Sequence, residues 1–285
     1  MENWGDEGYK SVLTDVLENG ILDNKERTGI GTLSTVGTMV KYDLSERFPA
    51  LTLRRVYPRL AFEETRFFIS GETDTNLLEE KGVNFWKKNT SREFLDNRKL
   101  YDLPVGDMGK GYGYQWRGFN DEVDQLERTI SELKSNGSSR RALITAWNPV
   151  QLDEMALPPC HIIQHYLLKD GKLNCTLFMR SNDLPFGAPY NVMSYALTTH
   201  FLSKILDVEP GILVHQNSDS HIYLNQIPMV EEMITRSPVE DNCELIIRPE
   251  IKNIDDILDL KWDDEIFIKN YNPHPDVEDK PPMNI

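Results

Sequence analysis

Apolar side chains recur at helical spacing in four stretches of the chain. Tyr9 to Leu17 repeats every three or four residues and meets Gly20, and Leu60 to Ile69 follows Pro58. Two more amphipathic runs lie further on, one ended by Asn136 and one opened by Pro189. The pattern therefore predicts helices over residues 9–17, 60–69, 123–133 and 189–206.

Shorter β-rich runs lie between these helices. A hairpin is predicted around Asp170-Gly171, since this dipeptide favours a tight turn between two alternating strands. The predicted strands cover residues 33–44, 48–55, 142–147, 162–168, 173–179, 212–215 and 245–248. No linker, low-complexity segment or internal repeat divides the chain. We expect an α+β fold in one domain, residues 1–285, with a mixed sheet packed against helices.

The formal net charge of −15 argues against an extended contact with nucleic acid or an anionic membrane, because both need a basic face. Arginines nevertheless cluster at 54–55, at 140–141 and at 180. The chain is therefore compatible with a small, local anion site.

Three cysteines, Cys160, Cys175 and Cys243, form no Cys-x-x-Cys pair. Neither a disulfide framework nor a zinc site is indicated, and no metal is expected. The acidic first residues do not resemble a signal peptide, and no apolar run approaches the roughly 20 residues that span a bilayer. We expect a soluble protein in a reducing compartment, the cytoplasm.

Cys160 is the strongest candidate nucleophile. Pro158 and Pro159 stiffen the backbone before it, and His161 follows it. A cysteine beside a histidine is by itself more often a small buried apolar residue. Residues 180–191 make the nucleophile interpretation the stronger one, because they supply an arginine, a serine, an aspartate and an asparagine. These are the groups that a phosphorylated ligand with an amide edge requires.

Several other stretches leave two interpretations open. Glu64 lies on a largely apolar helix; it either faces solvent or turns inward, where burial would raise its pKa and make it a proton carrier. Adjacent Arg140 and Arg141 point in different directions at the start of a strand. They can serve one site only if the backbone bends or a second chain takes part. The glycine-rich loop 26–32 is more often a turn than a phosphate site.

Six motifs together resemble the thymidylate synthase family, in the family's order and over nearly the whole chain. They are Arg27-Thr28-Gly29, Met155 to His161, Arg180-Ser181-x-Asp183, Gly187-x-Pro-Tyr-Asn191, His221-Ile-Tyr223 and Tyr271-Asn-Pro-His-Pro275. The resemblance implies a homodimer formed through a sheet face. It also implies transfer of a one-carbon unit from 5,10-methylenetetrahydrofolate to C5 of dUMP.

The resemblance assigns roles at the nucleotide. Cys160 would add to C6 of the uracil, and Asn191 would read its amide edge, which favours dUMP over dCMP. His221 and Tyr223 match the residues that bind the sugar 3′-hydroxyl. The expected phosphate ligands are Arg180, Ser181 and Arg27, with Arg140 and Arg141 donated by the second subunit.

Further roles follow from the same resemblance. Glu64 and Tyr112 match a carboxylate and a phenol that move protons through water, with His161 as a supporting polar group. Asp183 matches the residue that binds the pterin ring. The other expected folate residues are Trp86, Leu157, Gly187, Tyr190, Arg54 and the C-terminal Ile285, which would fold over the site and exclude water.

Five positions depart from the family pattern: Arg54, Met179, Phe186, Met193 and Ser218. The string Met-Arg-Ser-Asn-Asp before Phe-Gly is similar to phage deoxypyrimidine hydroxymethylases, in which water replaces hydride in the last step. The preferred hypothesis is methylation to dTMP, and the alternative is a dUMP hydroxymethylase, in the host cytoplasm if phage-encoded. A nucleotide-binding regulator without catalysis is a third and less favoured hypothesis.

Overall fold

The computed structural model describes residues 4–24, 29–240 and 242–281. Arg27 and Ile285 lie outside these ranges. The helices are α1 Gly5–Asn19, α2 Pro58–Ser70, α3 Asn76–Glu79, α4 Arg92–Asn97, α5 Gly113–Gly118, α6 Gln125–Ser135, α7 Gly187–Leu206, α8 Ile227–Thr235 and α9 Ile254–Leu258. The strands are β1 Ile21–Asp23, β2 Thr32–Asp43, β3 Leu143–Thr145, β4 His161–Lys169, β5 Lys172–Met179, β6 Asn182–Asp183, β7 Glu209–Tyr223, β8 Glu244–Ile247 and β9 Ile266–Lys269.

One mixed sheet carries most of the fold. Its strand order is β1-β2-β7-β5-β4-β3, with β6 paired to β7, while β8 and β9 form a separate pair. The pairs β5–β7 and β6–β7 are parallel and the other neighbours are antiparallel. Helices α2 and α7 pack on each other and α7 packs on the sheet. The predicted α+β class and the mixed sheet packed with helices are confirmed.

The four predicted helices are present, with ends that follow ordinary capping chemistry. Helix α2 begins at Pro58, which needs no N–H partner in the first turn, and ends at Ser70, followed by Gly71 as the C-cap with φ 80°. Asp124 caps α6 by accepting a hydrogen bond from the backbone N–H of Glu127. Helix α7 is buried along most of its length and forms the centre of the core.

The strand predicted over residues 48–55 is wrong. These residues form an extended segment outside any sheet, and side chains satisfy part of its backbone. Asp6 accepts from the backbone N–H of Thr52 at 2.6 Å, and the Tyr271 hydroxyl donates to the carbonyl of Leu51 at 3.0 Å. His274 N–H donates to the carbonyl of Thr52 at 2.9 Å. Partners from both ends of the described chain thus replace a strand ladder.

Strand β7 is much longer than the predicted 212–215. Its polar part, Asn217 to Ser220, continues the pairing with β2 because polar side chains find partners across the sheet. Ser220 and Asn217 both contact the Thr38 hydroxyl, at 2.6 and 3.1 Å. Residues 217–220 contain no alternating apolar side chains, so the hydrophobic pattern could not predict this part of the strand. The pattern also failed to predict helix α8 and the short elements β1, β6, β9, α3, α4, α5 and α9, and β3 is shorter than predicted.

Candidate active site

A cavity of about 410 Å³ opens where the carboxyl ends of β5 and β6 meet the start of α7. It collects most of the residues predicted to act together. They are Glu64, Trp86, Tyr112, Leu157, Cys160, His161, Arg180, Ser181, Asp183, Gly187, Tyr190, Asn191, His221 and Tyr223. Other lining residues were not predicted, among them Ser34, Phe85, Asn89 and Asp219.

Cys160 lies partly buried in the loop directly before β4. Arg180 Nη2 is 3.7 Å from its sulfur, and the same guanidinium donates to the carbonyls of Pro159 and Pro158 at 2.8 and 2.9 Å. The proline carbonyls therefore hold the arginine against the thiol. A positive charge at this distance stabilises a thiolate, which is the nucleophilic form.

Glu64 turns inward from α2 and is 9% exposed. Burial raises the pKa of its carboxyl to about 7, although Trp86 Nε1 donates to Oε1 at 2.8 Å and opposes this rise. The inward alternative is therefore confirmed. A carboxyl with this pKa can take up or release a proton near neutral pH.

Tyr112 adopts a backbone conformation that is rare for a residue with a side chain, with φ 37° and ψ −96°. Its ring stacks on Phe68 with centroids 5.0 Å apart, and its hydroxyl accepts from the backbone N–H of Cys160 at 2.9 Å. Burial raises the pKa of this phenol well above its usual value, so it keeps its proton. The strained backbone places the hydroxyl beside the candidate nucleophile.

His161 follows Cys160, but its ring Nδ1 contacts the Tyr195 hydroxyl at 2.6 Å. Burial, and then the neighbouring His215, lower the pKa of His161 to about 3. The imidazole is therefore neutral at physiological pH. It supports the cavity wall and cannot act there as a cation.

Asn191 and His221 both line this cavity. Within the described parts of the chain, the Asn191 amide, on the fifth residue of α7, has no hydrogen-bond partner. His221 Nδ1 contacts Asp219 Oδ2 at 2.7 Å, an arrangement that fixes the ring on β7. Asp219 was missed, although its i, i+2 spacing to His221 on a strand was a usable signal.

Asp183 forms the floor beside α7 and is enclosed by donors. Phe186 N–H donates to Oδ1 at 3.2 Å, and Gln226 Nε2 lies 3.1 Å from Oδ2 and 3.3 Å from Oδ1. Burial raises the pKa of Asp183, while His221, Gln226, Phe186 N–H and Arg54 oppose that rise. Tyr190 and Phe85 pack edge to face nearby, with centroids 4.9 Å apart.

Three predicted arginines are not in this cavity. Arg54 is buried behind its wall, where Nε and Nη2 donate to the Pro185 carbonyl at 3.3 and 2.7 Å and the guanidinium covers the Phe186 ring. Arg140 and Arg141 are exposed away from the cavity. The predicted roles of Arg27 and Ile285 concern residues outside the described ranges.

No group of three or more His, Cys, Asp or Glu side chains that could hold a metal ion occurs in residues 4–24, 29–240 and 242–281. Over the same ranges, no helix is both long enough and apolar enough to cross a bilayer.

These features define an α+β protein whose cavity combines a cysteine–arginine pair, a carboxyl with a pKa of about 7 and the Asn191 amide. The thymidylate synthase family model matches residues 7–283, and the chain belongs to this family. The resemblance inferred from the six motifs is thereby confirmed.

Curated relatives agree with this assignment. The chain is 38% identical over 283 residues to thymidylate synthase of Varicella-zoster virus (strain Dumas), covering 95% of this chain and 92% of that protein. It is 37% identical over 302 residues to thymidylate synthase of Saccharomyces cerevisiae, covering 98% and 97%. It is 40% identical over 262 residues to the bifunctional dihydrofolate reductase-thymidylate synthase of Plasmodium chabaudi, covering 87% of this chain and 44% of that longer protein.

Proposed function

We propose that this protein is a thymidylate synthase that converts dUMP to dTMP with 5,10-methylenetetrahydrofolate as co-substrate. The observation that carries the proposal is the Cys160–Arg180 contact of 3.7 Å in the same cavity as Glu64 and Asn191. A thiolate, a proton carrier and an amide that reads uracil are the groups that substitution at C5 requires.

The nucleotide occupies the side of the cavity formed by β5, β7 and the loop before β4. The Cys160 thiolate adds to C6 of uracil, and the electron pair of the C5–C6 bond becomes available at C5. Asn191 accepts from the ring N–H and donates to a ring carbonyl. Arg180 and Ser181 receive the phosphate, together with Arg27, while His221 and Tyr223 bind the 3′-hydroxyl.

Glu64 and Tyr112 handle protons on the other side of the ring. Because the pKa of Glu64 is about 7, its carboxyl can protonate a uracil carbonyl oxygen through water as the thiolate adds. Tyr112 lies next to Cys160 and keeps its proton, so it directs the water that removes the C5 proton. Cys160 leaves when the C5–C6 double bond forms again.

The folate fits the remaining wall, where Trp86, Leu157 and Tyr190 supply flat apolar surface and Asp183 supplies a partly buried acceptor for a ring N–H. The co-substrate contributes a one-carbon unit and a hydride. Gly187 leaves space beside Asp183 and Asn191, and closure by Ile285 excludes water. Arg54 acts indirectly, by holding the Pro185 carbonyl beneath Phe186.

We also propose that residues 1–285 act as one catalytic domain in a homodimer. Apolar side chains of the main sheet are exposed, namely Ile21, Leu22, Val36 and Leu143, and association would cover them. Arg140 and Arg141 are then donated to the partner's phosphate site. Within the described residues, Cys160, Cys175 and Cys243 form no disulfide with one another, as a catalytic thiol in a reducing cytoplasm requires.

The dimer proposal is tested by mixing two inactive variants, Cys160→Ala and Arg140→Ala/Arg141→Ala, after unfolding and refolding together. A mixed dimer contains one intact site if the arginines cross the interface. About a quarter of the wild-type activity should then return, by random pairing of subunits. If the mixture stays inactive while each variant refolds as a dimer, the arginines do not act across it.

Turnover itself is tested with purified protein, dUMP and methylenetetrahydrofolate. Dihydrofolate is followed by absorbance while the nucleotide product is weighed by mass spectrometry. A rise in dihydrofolate together with dTMP supports the proposal. A nucleotide heavier than dTMP by one oxygen, without dihydrofolate, would instead establish hydroxymethylation.

A further inference from the structure

Gln226 is a buried residue with no assigned role. It lies in the turn between β7 and α8 and is 0% exposed. Its Oε1 accepts from the backbone N–H of Tyr223 at 2.9 Å, and its Nε2 reaches both oxygens of Asp183, at 3.1 and 3.3 Å. One amide therefore links the nucleotide-side strand to the proposed folate carboxylate.

The orientation of this amide follows from its partners. A backbone N–H can only donate, so the amide atom that faces Tyr223 must be the oxygen. The NH₂ group must then face Asp183. This NH₂ group favours the ionised form of Asp183, because a carboxylate can only accept hydrogen bonds. In the neutral form the carboxyl O–H could face the NH₂ group, and two donors would then oppose each other.

We propose that Gln226 is a positioning residue that holds Asp183 in one orientation as an ionised acceptor for the folate ring. The proposal rests on the proposed function, since that function places the folate at Asp183. Phe186 N–H also donates to Oδ1, at 3.2 Å, while Oδ2 receives the hydrogen bond from Gln226 Nε2, at 3.1 Å. Burial would otherwise favour the neutral carboxyl.

Other charged or titratable groups face Asp183 from three packed elements. They are His221 on β7, Arg54 in the segment before α2, and Tyr9 on α1. All three are retained in the variants below. We therefore compare the dissociation constant of each variant with that of wild type at the same pH. This ratio cancels the pH dependence that comes from these three groups and from ionisation of the ligand.

Two substitutions should give opposite pH trends. Gln226→Glu keeps an oxygen acceptor for Tyr223 but places a second carboxyl against Asp183. At low pH the new carboxyl is protonated and can still donate, whereas at high pH two carboxylates repel. Gln226→Leu removes the donor without adding charge, so that Asp183 takes up a proton more readily and loses its acceptor role as pH falls.

The measurement is calorimetric titration of dihydrofolate into protein saturated with dUMP, at pH 6 and pH 8.5. We expect Gln226→Glu to bind within about threefold of wild type at pH 6 and at least about tenfold more weakly at pH 8.5, as repulsion between close like charges requires. Gln226→Leu should show its larger deficit at pH 6. The affinity of both variants for dUMP alone should differ from that of wild type by less than about threefold, because the substituted amide contacts the proposed folate carboxylate and not the nucleotide.

Gln164→Glu is the matched control, because Gln164 is also buried, at 1% exposure, and contacts the Tyr166 hydroxyl and not Asp183. Its pH trend should parallel that of wild type. If the ratio to wild type is constant with pH for both Gln226 variants, Gln226 only caps the turn and the proposal is wrong. If one Gln226 variant fails to fold, the pH dependence of dihydrofolate binding by the other variant is sufficient to support or refute the proposal.

Failure of the proposed function gives a different result. If wild-type protein binds dihydrofolate but forms no dTMP, the synthase assignment is refuted. The pH trends of the two Gln226 variants would then still test whether Gln226 positions Asp183 for folate binding. Wild-type protein that binds no dihydrofolate at either pH would overturn the folate site and this proposal together.

Discussion

Glu64 is a buried carboxyl group and Asp183 a partly buried one in the same cavity, and they differ in the number of hydrogen-bond donors around them. Glu64 receives one hydrogen bond, from Trp86, and burial carries its pKa to about 7. Asp183 receives donors from Phe186 and Gln226 and lies near His221 and Arg54, all of which oppose the effect of burial. The same chemical group is thus suited to moving a proton on one wall and to accepting a fixed hydrogen bond on the other.

The largest effect should come from removing Glu64, the proposed proton carrier. Glu64→Gln keeps the side chain's size and its acceptor for Trp86 but cannot exchange a proton, so kcat should fall by about 10²- to 10⁴-fold. Stopped-flow or steady-state kinetics would measure this fall. Glu63→Gln is the control, because Glu63 lies on the same helix but pairs with Arg66 and Lys81, and its kcat should stay near that of wild type.

The same variant should change stability in a pH-dependent way. The folded-state pKa of Glu64 is raised from 4.5 to about 7, so the folded protein binds more protons than the unfolded chain between these values. Stability is therefore lost as pH rises through this window, by about 3 kcal/mol at most. Glu64→Gln should be more stable than wild type at pH 8, and urea unfolding at pH 4.5 should show no such gain.

Removing the charge on the second carboxyl should have a smaller effect, and on a different parameter. If Asp183 is the ionised acceptor proposed above, Asp183→Asn replaces that charged group by an amide, and a hydrogen bond to a charged group contributes about 1.5–3 kcal/mol. kcat/KM for methylenetetrahydrofolate should fall by about 10- to 150-fold, while the dissociation constant of dUMP changes little. An equal loss of affinity for both ligands would contradict the separation of roles.

The smallest effect should come from the donor to Glu64. Trp86→Phe keeps an aromatic wall but removes the indole N–H, whose hydrogen bond lowers the pKa of Glu64. That pKa should rise further, and the corresponding limb of the kcat profile should move to higher pH. The variant must first be shown to be folded, and its KM for the folate must be measured. If its pH profile of kcat then matches that of wild type, the ionisation of Glu64 does not control this limb of the profile.

The sequence was sufficient for most elements because α2, α6, α7 and the β4–β5 hairpin have strong local signals. It was not sufficient for residues 48–55, whose β-rich composition is that of a strand although Asp6 and Tyr271 provide the backbone partners. Local pattern contains no information about partners more than 40 residues away.

The candidate site shows the same limit. Cys160, Arg180 and Asn191 could be found because they fall in short motifs, but the inward direction of Glu64 needed the packing of α2. Gln226 was not found, because its partner Asp183 is 43 residues earlier and an isolated glutamine has no local signature. Motifs therefore gave the groups that act, and the fold was needed for the groups that orient them.

The segment around Thr52 has a consequence for biosynthesis. Its backbone is held by Asp6 from the beginning of the chain and by Tyr271 and His274 from near its end. A ribosome-bound nascent chain that stops before residue 271 lacks two of these partners, whatever else has already folded. The wall in front of Arg54 can be completed only after residues 271–274 have emerged, so the cavity becomes competent late in synthesis, after residues 4–240 are already available to fold.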